Sequence, residues 1–570
     1  MRRKITHPID FQPDVPPGGG QQSPQNGGRG TRLSRRDQIN RSVGTADNLV
    51  FAYGRFREVN AFRNWGTRDV PSIRRYRSSR EERLGEEAGS SYLFQQGSTA
   101  LRDETLGNLA ADAARRWAHK ECVISVHQGV RLTFAELLGR ADRFAAGLKR
   151  LGLERGDRFG IWAPNDVEWI IGFVAAMRAG LVAVSLNPTY QLDEIVYCLQ
   201  KVGVKAVLSP DNFKTQDYPA MLLRAKRMCP ALEHIIIYSR DHVAGTRRFA
   251  DVEQLASKIE VERVAGEQDR ISCHSGSNIQ FTSGTTGRPK ATLLSHKSLL
   301  NNSGQITLLD VYHRVQPPPI TLACGITGGA IASPEFFKKI RESFNFDNMK
   351  SIYGLTEVSG VIFHSMPNEK NELTDNTVGH LSDHIEAMVV DENGKTVPFG
   401  THGELWIRGY SNMIEYYNDE EATRKTITKD GWFKTGDQFI LRSDGYGQIV
   451  GRLKELIIRG GENIFPKEIE DVIMMHPLVA EVQVIGAYDK VYGEELCACV
   501  RVQDGAKLEK EELKKFCASR IASFKIPRYV EFVTNYPKTS SGKVQKIDNR
   551  ARENSENMVL ESMTMNINDC

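Results

Sequence analysis

The chain has 570 residues, of which 40% are hydrophobic and 26% charged, and a net charge of +4. That length exceeds what a single core ordinarily organises, so two or more domains are expected in a chain of ordinary globular composition. So small a net charge gives no global field for a nucleic-acid partner. Nine cysteines without a C-x-x-C pair point to reduced, packed thiols rather than a disulfide framework.

Residues 1–95 differ from the rest. The first 90 carry 17 Lys+Arg against 10 Asp+Glu, a local +7 that leaves −3 for the remainder. Arginines are spread through Gly-, Ser- and Pro-containing sequence without apolar periodicity, which predicts a disordered extension. An Arg- and Ser-rich leader of this kind fits a mitochondrial transit segment, with Asp10, Asp14 and Asp37 weighing against it.

Regular structure is expected from about residue 100. Thr133-Phe-Ala-Glu136 is a capping-box pattern, and apolar residues from Phe134 to Leu151 follow at helical spacing up to Gly152. A strand at 158–163, a helix at 166–179, a strand at 181–186, a helix at 193–202 and a short strand at 206–208 follow. This alternation predicts a parallel α/β sheet. The most apolar stretch, Trp169 to Leu186, holds Arg178 in its middle, so a buried helix and strand explain it and no transmembrane segment is expected. After residue 451 short strands (456–458, 481–485, 497–502) mix with helices at 466–475 and 510–521, which predicts a small α+β domain. Cys497 and Cys499 fall on one face of a strand, a packing position.

The strongest chemical signal is Thr282-Ser283-Gly284-Thr285-Thr286-Gly287-Arg288-Pro289-Lys290, which follows a strand. Glycines let backbone N–H groups close on an anion, hydroxyls add donors and Lys290 adds a point charge, a combination suited to a polyphosphate. The loop is not a Walker A motif, because Pro289 precedes the lysine and Ala291 follows it. Read alone it is a mobile surface loop, but the lysine and the flanking elements favour phosphate. No G-x-S-x-G elbow or H-E-x-x-H pair supports a hydrolase.

These residues resemble the phosphate-binding signature of the adenylate-forming superfamily: acyl- and aryl-CoA synthetases, peptide-synthetase adenylation domains and beetle luciferases. The resemblance runs from about residue 95 to 552, in the family's motif order. Gly328-Gly329-Ala330 resembles the stretch lining the acyl and adenine pocket. Tyr353-Gly354-Leu-Thr356-Glu357 resembles the signature whose aromatic ring lies by adenine, whose Thr meets phosphate and whose Glu binds Mg2+. Thr435-Gly436-Asp437 resembles the ribose-binding turn. Arg452 matches a ribose contact, Lys454 the inter-domain hinge, and Gly460-Gly461 the loop beside the pantetheine tunnel. Lys543 matches the catalytic lysine of adenylation. Further matches, Ser125–Thr133 and Phe524–Tyr529 among them, look most like a mitochondrial, medium-chain branch of the acyl-CoA synthetases.

The resemblance implies a fold class of α/β: a large multi-subdomain N-terminal domain over 96–451 with mostly parallel sheets, and a small mobile α+β domain over 452–552, followed by a polar tail over 553–570. It implies ATP, Mg2+ and coenzyme A as cofactors or co-substrates and a fatty acid as the acyl donor. The implied reaction is acyl-adenylate formation followed by transfer to CoA. No carrier module follows residue 552, so carrier-protein loading is not favoured.

One departure stands out. Only 63 residues separate Lys290 from Tyr353, and family members are markedly longer here. The shortening, centred on residues 303–325, removes an aromatic/His strand motif and at least one βα unit. Two expectations follow: an active acyl-CoA ligase, or a catalytically impaired nucleotide-binding form of the same fold.

Overall fold

The computed structural model describes residues 89–536, apart from 98, 215, 240, 283–288, 309–324, 329–333, 345–347, 367–368, 460–461, 490 and 519. The basic leader, Lys543 and the polar tail therefore lie outside the described residues.

The helix expected after Thr133 forms over Phe134–Arg150. The Glu136 amide donates to Thr133 Oγ1 (3.2 Å) and the Thr133 amide to Glu136 Oε2 (2.8 Å), so two orphan donors of the first turn are satisfied. Gly152, at φ +89°, supplies the left-handed turn that ends it. The strand–helix alternation closes into an eight-stranded sheet. Its order is Arg247–Arg248, His234–Tyr238, Val204–Pro210, Arg158–Trp162, Val182–Leu186, Gly276–Thr282, Lys290–Ser295 and Glu415–Tyr416. The first six are mutually parallel, and the last two pairings are antiparallel.

Helices cover both faces of the parallel part, which is why its strands read as apolar runs rather than alternating ones. Phe159, Ile161 and Ala183 face a core built with the helices Phe134–Arg150 and Val167–Ala179. Trp162, Val182, Val184 and Leu186 face a second core built with the helices Leu192–Val202 and Tyr218–Met228. Arg178 is buried and donates from Nε to Asp142 Oδ1 (2.6 Å), so the charge inside the most apolar stretch is paired rather than membrane-facing. Among the described residues no helix is long and apolar enough to cross a membrane.

A five-stranded antiparallel sheet joins Tyr92–Gln95, Ile385–Val390, His402–Gly409, Phe433–Leu441 and Gly447–Arg452. Its first strand corrects the expectation of disorder through residue 95. Tyr92–Gln95 pairs with Ile385–Met388, a partner about three hundred residues away that local periodicity does not register. A shorter sheet holds Gly325–Thr327, Met349–Tyr353, Phe363–His364 and His380–Leu381. Gly325–Thr327 pairs in parallel with Met349–Tyr353, and among the described residues no strand lies on its other side.

From Ile457 a separate α+β unit follows. Gly493–Val502 pairs antiparallel with Val479–Asp489 and parallel with Tyr529–Phe532, and the helices Pro466–Met474 and Lys510–Ala518 pack over it. Cys497 and Cys499 are buried side by side beneath Tyr536, as packing positions. The architecture is that of two lobes, a large α/β one and a small α+β one.

Candidate active site

The phosphate-type loop is the tip of a hairpin. Gly276–Thr282 enters it, and Lys290–Ser295 leaves it antiparallel with Thr282 opposite Lys290. Residues Ser283–Arg288 are outside the described residues, but both ends are fixed. The Pro289 carbonyl accepts from the Tyr197 hydroxyl (2.9 Å), and the Lys290 ammonium lies 4.5 Å from the centre of the Tyr416 ring.

Thr356 and Glu357 sit on a single 3-10 turn, Thr356–Val358, directly after the strand that ends in Tyr353. Gly354 is required there, since a Cβ would collide with the Gly360 carbonyl oxygen. Glu357 faces the hairpin: its Oε1 accepts from the Tyr416 hydroxyl (2.9 Å) and from Thr282 Oγ1 (3.4 Å). Its backbone carbonyl accepts from the Met413 amide (2.7 Å), so both main chain and side chain are held. Both side-chain hydrogen bonds fall on one carboxylate oxygen. Among the described residues this leaves Oε2 for an ion, so the site fits Mg2+, which takes one or two carboxylates and completes its shell with phosphate oxygens and water.

The ribose-type turn lies within the strand Phe433–Leu441. Gly436, at φ +71°, turns the chain, and Asp437 is 3% exposed. Its Oδ2 accepts from the Tyr353 hydroxyl (2.6 Å) and its Oδ1 lies 3.0 Å from Arg452 Nε. Burial, then the Asp437 charge, raises the Tyr353 hydroxyl well above its ordinary range, so it remains a donor. The Tyr353 ring packs against Phe439 (5.7 Å) and Phe363 (6.2 Å), which leaves a narrow part of it to meet a ligand.

Lys454 falls in the turn Leu453–Glu455 between the lobes, and Phe465 of the small lobe meets His402 of the large one edge-on at 5.7 Å. Gly460 and Gly461 lie outside the described residues, but the strand before them is anchored. Arg459 pairs with the buried Glu495 through two hydrogen bonds of 2.8 and 2.7 Å. Thr282, Lys290, Tyr353, Thr356, Glu357, Asp437 and Arg452 thus gather along one edge of the large lobe, whereas Lys543 lies outside the described residues.

Sequence reasoning missed Tyr416, which belongs to a two-residue strand without glycine punctuation. It also missed Asn302, whose buried amide donates to the Val361 carbonyl (2.6 Å) and accepts from the Val361 amide (3.0 Å). That exchange ties the helix after the hairpin to the segment just beyond Glu357. Neither residue type carries a spacing signal, since both act on partners at least 59 residues away.

Comparison with known proteins agrees with this geometry. The AMP-binding enzyme family model matches residues 110–324 and 314–417, and the AMP-binding enzyme C-terminal domain model matches 468–543. The two pieces of the first match meet inside the shortened stretch. The mitochondrial medium-chain acyl-CoA ligase ACSF2 of Danio rerio is 35% identical over 555 residues, covering 82% of this chain and 91% of that protein. A putative acyl-CoA synthetase, YngI of Bacillus subtilis, is 31% identical, covering 78% of this chain and 96% of its own. ATP-bound MatB from Rhodopseudomonas palustris superimposes with a TM-score of 0.67 at 26% identity, over 78% of this chain and 97% of that one. The chain belongs to the AMP-binding enzyme family, and within it to the adenylate-forming acyl-CoA ligases.

Proposed function

We propose that this chain activates a medium-chain fatty acid with ATP and Mg2+, passes the acyl group to coenzyme A, and does so in mitochondria. The chain length and compartment rest on likeness to the ACSF2 ligases of several vertebrates, at 34–35% identity. The observation that carries the chemistry is the convergence of Thr282, Lys290, Glu357 and Asp437 along one edge.

In the first half-reaction a carboxylate oxygen attacks the α-phosphorus of ATP and pyrophosphate leaves. Negative charge builds on phosphoryl oxygens, so positioned cations and donors are the main requirement. Asp437 takes the ribose hydroxyls with Arg452 beside it, and Tyr353 and Gly354 shape the adenine side. The amides and hydroxyls of Ser283, Gly284, Thr285, Thr286 and Gly287, with Arg288 and Lys290, cradle the β- and γ-phosphates, while Thr356 offers its hydroxyl. Mg2+, held by Glu357, would neutralise phosphate charge. Lys543 bridges the substrate carboxylate and the α-phosphate. In the second half-reaction the small lobe turns about Lys454, withdraws Lys543 and presents Gly460 and Gly461 beside the incoming thiol, while Arg452 stays with the large lobe.

The position of Gly325–Thr327 at a sheet edge among the described residues favours a second reading, in which the shortened chain holds nucleotide without completing catalysis. Chromatography of a reaction of the full chain with octanoate, ATP, Mg2+ and CoA separates the two. Octanoyl-CoA is expected, with Lys543→Ala unable to make it from octanoate but able to make it from supplied octanoyl-adenylate. No product from either starting material would refute the ligase reading.

A further inference from the structure

We propose that Tyr416 is a positioning residue, whose hydroxyl aims the Glu357 carboxylate at the metal and whose ring holds the Lys290 ammonium toward the phosphates. This assignment rests on the reading of the hairpin as the site for ATP.

Tyr416 is 4% exposed and lies in the two-residue strand Glu415–Tyr416, which borders the outgoing arm of the hairpin with Tyr416 opposite Thr292. Two backbone–backbone bonds and one to a side-chain hydroxyl fix it there. The Ile414 amide donates to the Leu293 carbonyl (2.9 Å), the Tyr417 amide to the Ala291 carbonyl (2.8 Å), and the Tyr416 amide to Thr423 Oγ1 (3.0 Å). From this position one side chain serves two others. The hydroxyl reaches Glu357 Oε1 at 2.9 Å and the ring lies 4.5 Å from Lys290 Nζ.

The two contacts do different work. A hydroxyl bonded to one carboxylate oxygen fixes the rotation of the group, so the other oxygen is presented in one direction instead of being averaged over several. An ammonium over a ring face loses little of its charge to the ring and keeps its free N–H groups for an anion. Thr282 donates to the same oxygen at the longer distance of 3.4 Å and supports the same orientation more weakly.

Two substitutions separate the contacts. Tyr416→Phe removes the hydroxyl and keeps the ring, whereas Tyr416→Leu removes both. The measurements are Mn2+ affinity of the full chain saturated with α,β-methylene-ATP, by electron paramagnetic resonance, and metal-free affinity for the same nucleotide, by calorimetry. Tyr416→Phe should weaken Mn2+ about tenfold, as expected for one hydrogen bond to a charged group, and leave metal-free nucleotide affinity and the melting temperature unchanged. Tyr416→Leu should weaken both affinities. Wild-type Mn2+ affinity in Tyr416→Phe would overturn the assignment. So would parallel losses of both affinities that track a lower melting temperature, because a merely structural tyrosine behaves that way. A wild-type chain that binds no nucleotide would overturn the ATP reading itself, which is a distinguishable result.

Discussion

Asp437 is a buried, doubly paired carboxylate of the site. A carboxylate at 3% exposure must be compensated, and it is: the Tyr353 hydroxyl and the Arg452 guanidinium take one oxygen each. The first of these bonds brings Tyr353 and Asp437, 84 residues apart in sequence, to one point. A vicinal diol presented to this carboxylate meets an acceptor that is already desolvated and fixed in direction. Asp437→Asn keeps the shape and removes the charge. Loss of charge-assisted bonds of about 1.5–3 kcal/mol should raise KM for ATP roughly ten- to a hundredfold. Steady-state kinetics check this, and an unchanged KM would remove Asp437 from the nucleotide site.

At the scale of elements, the helix His296–Leu308 connects the hairpin to the rest of the site. Its first residue, His296, is 1% exposed and accepts from the Leu106 amide at 3.3 Å. Burial pushes its imidazole down to about 4 from an ordinary 6.5. The unfolded chain therefore takes up the proton first. Stability from the neutral ring is complete above pH 6.5 and is lost as pH falls toward 4, by about 3 kcal/mol in all. His296→Asn keeps an acceptor for the Leu106 amide and cannot titrate. Its unfolding free energy should fall by about 3 kcal/mol less than that of the wild type between neutral pH and pH 4, in urea denaturation at each pH. Equal falls would show that His296 is solvated. Much at this scale was legible in the sequence. The Thr133 cap, the alternation from Arg158 to Pro210 and the two helices of the small lobe all follow from local patterns, and local patterns are what a sequence displays. The edge strand Tyr92–Gln95, the Tyr416 strand and the Asn302 link were not legible. Each is defined by a distant partner and is too short to show a period of its own. The site motifs could be read because glycine, hydroxyl and charged residues occur there at unusual density. The way Glu357 and Lys290 share Tyr416 could not.

At the scale of the molecule, two lobes meet at the turn Leu453–Glu455, with the residues proposed for the nucleotide, Thr282, Lys290, Glu357 and Asp437, on the large lobe. The large lobe keeps its eight-stranded sheet and both flanking cores, so shortening between Lys290 and Tyr353 leaves the hairpin, Glu357 and Asp437 in place. The shortened stretch runs into Gly325–Thr327, an edge strand among the described residues, and the resemblance assigns the adjoining Gly328 to the acyl and adenine pocket. Nucleotide binding and acyl selection are therefore expected to respond differently to it. The measurement that tests the central claim most directly is calorimetric titration of the full chain with octanoyl-sulfamoyladenosine, a stable mimic of the acyl-adenylate. One site per chain with micromolar or tighter affinity, lost in Asp437→Ala, is the predicted result. Absence of binding at every magnesium concentration would contradict it.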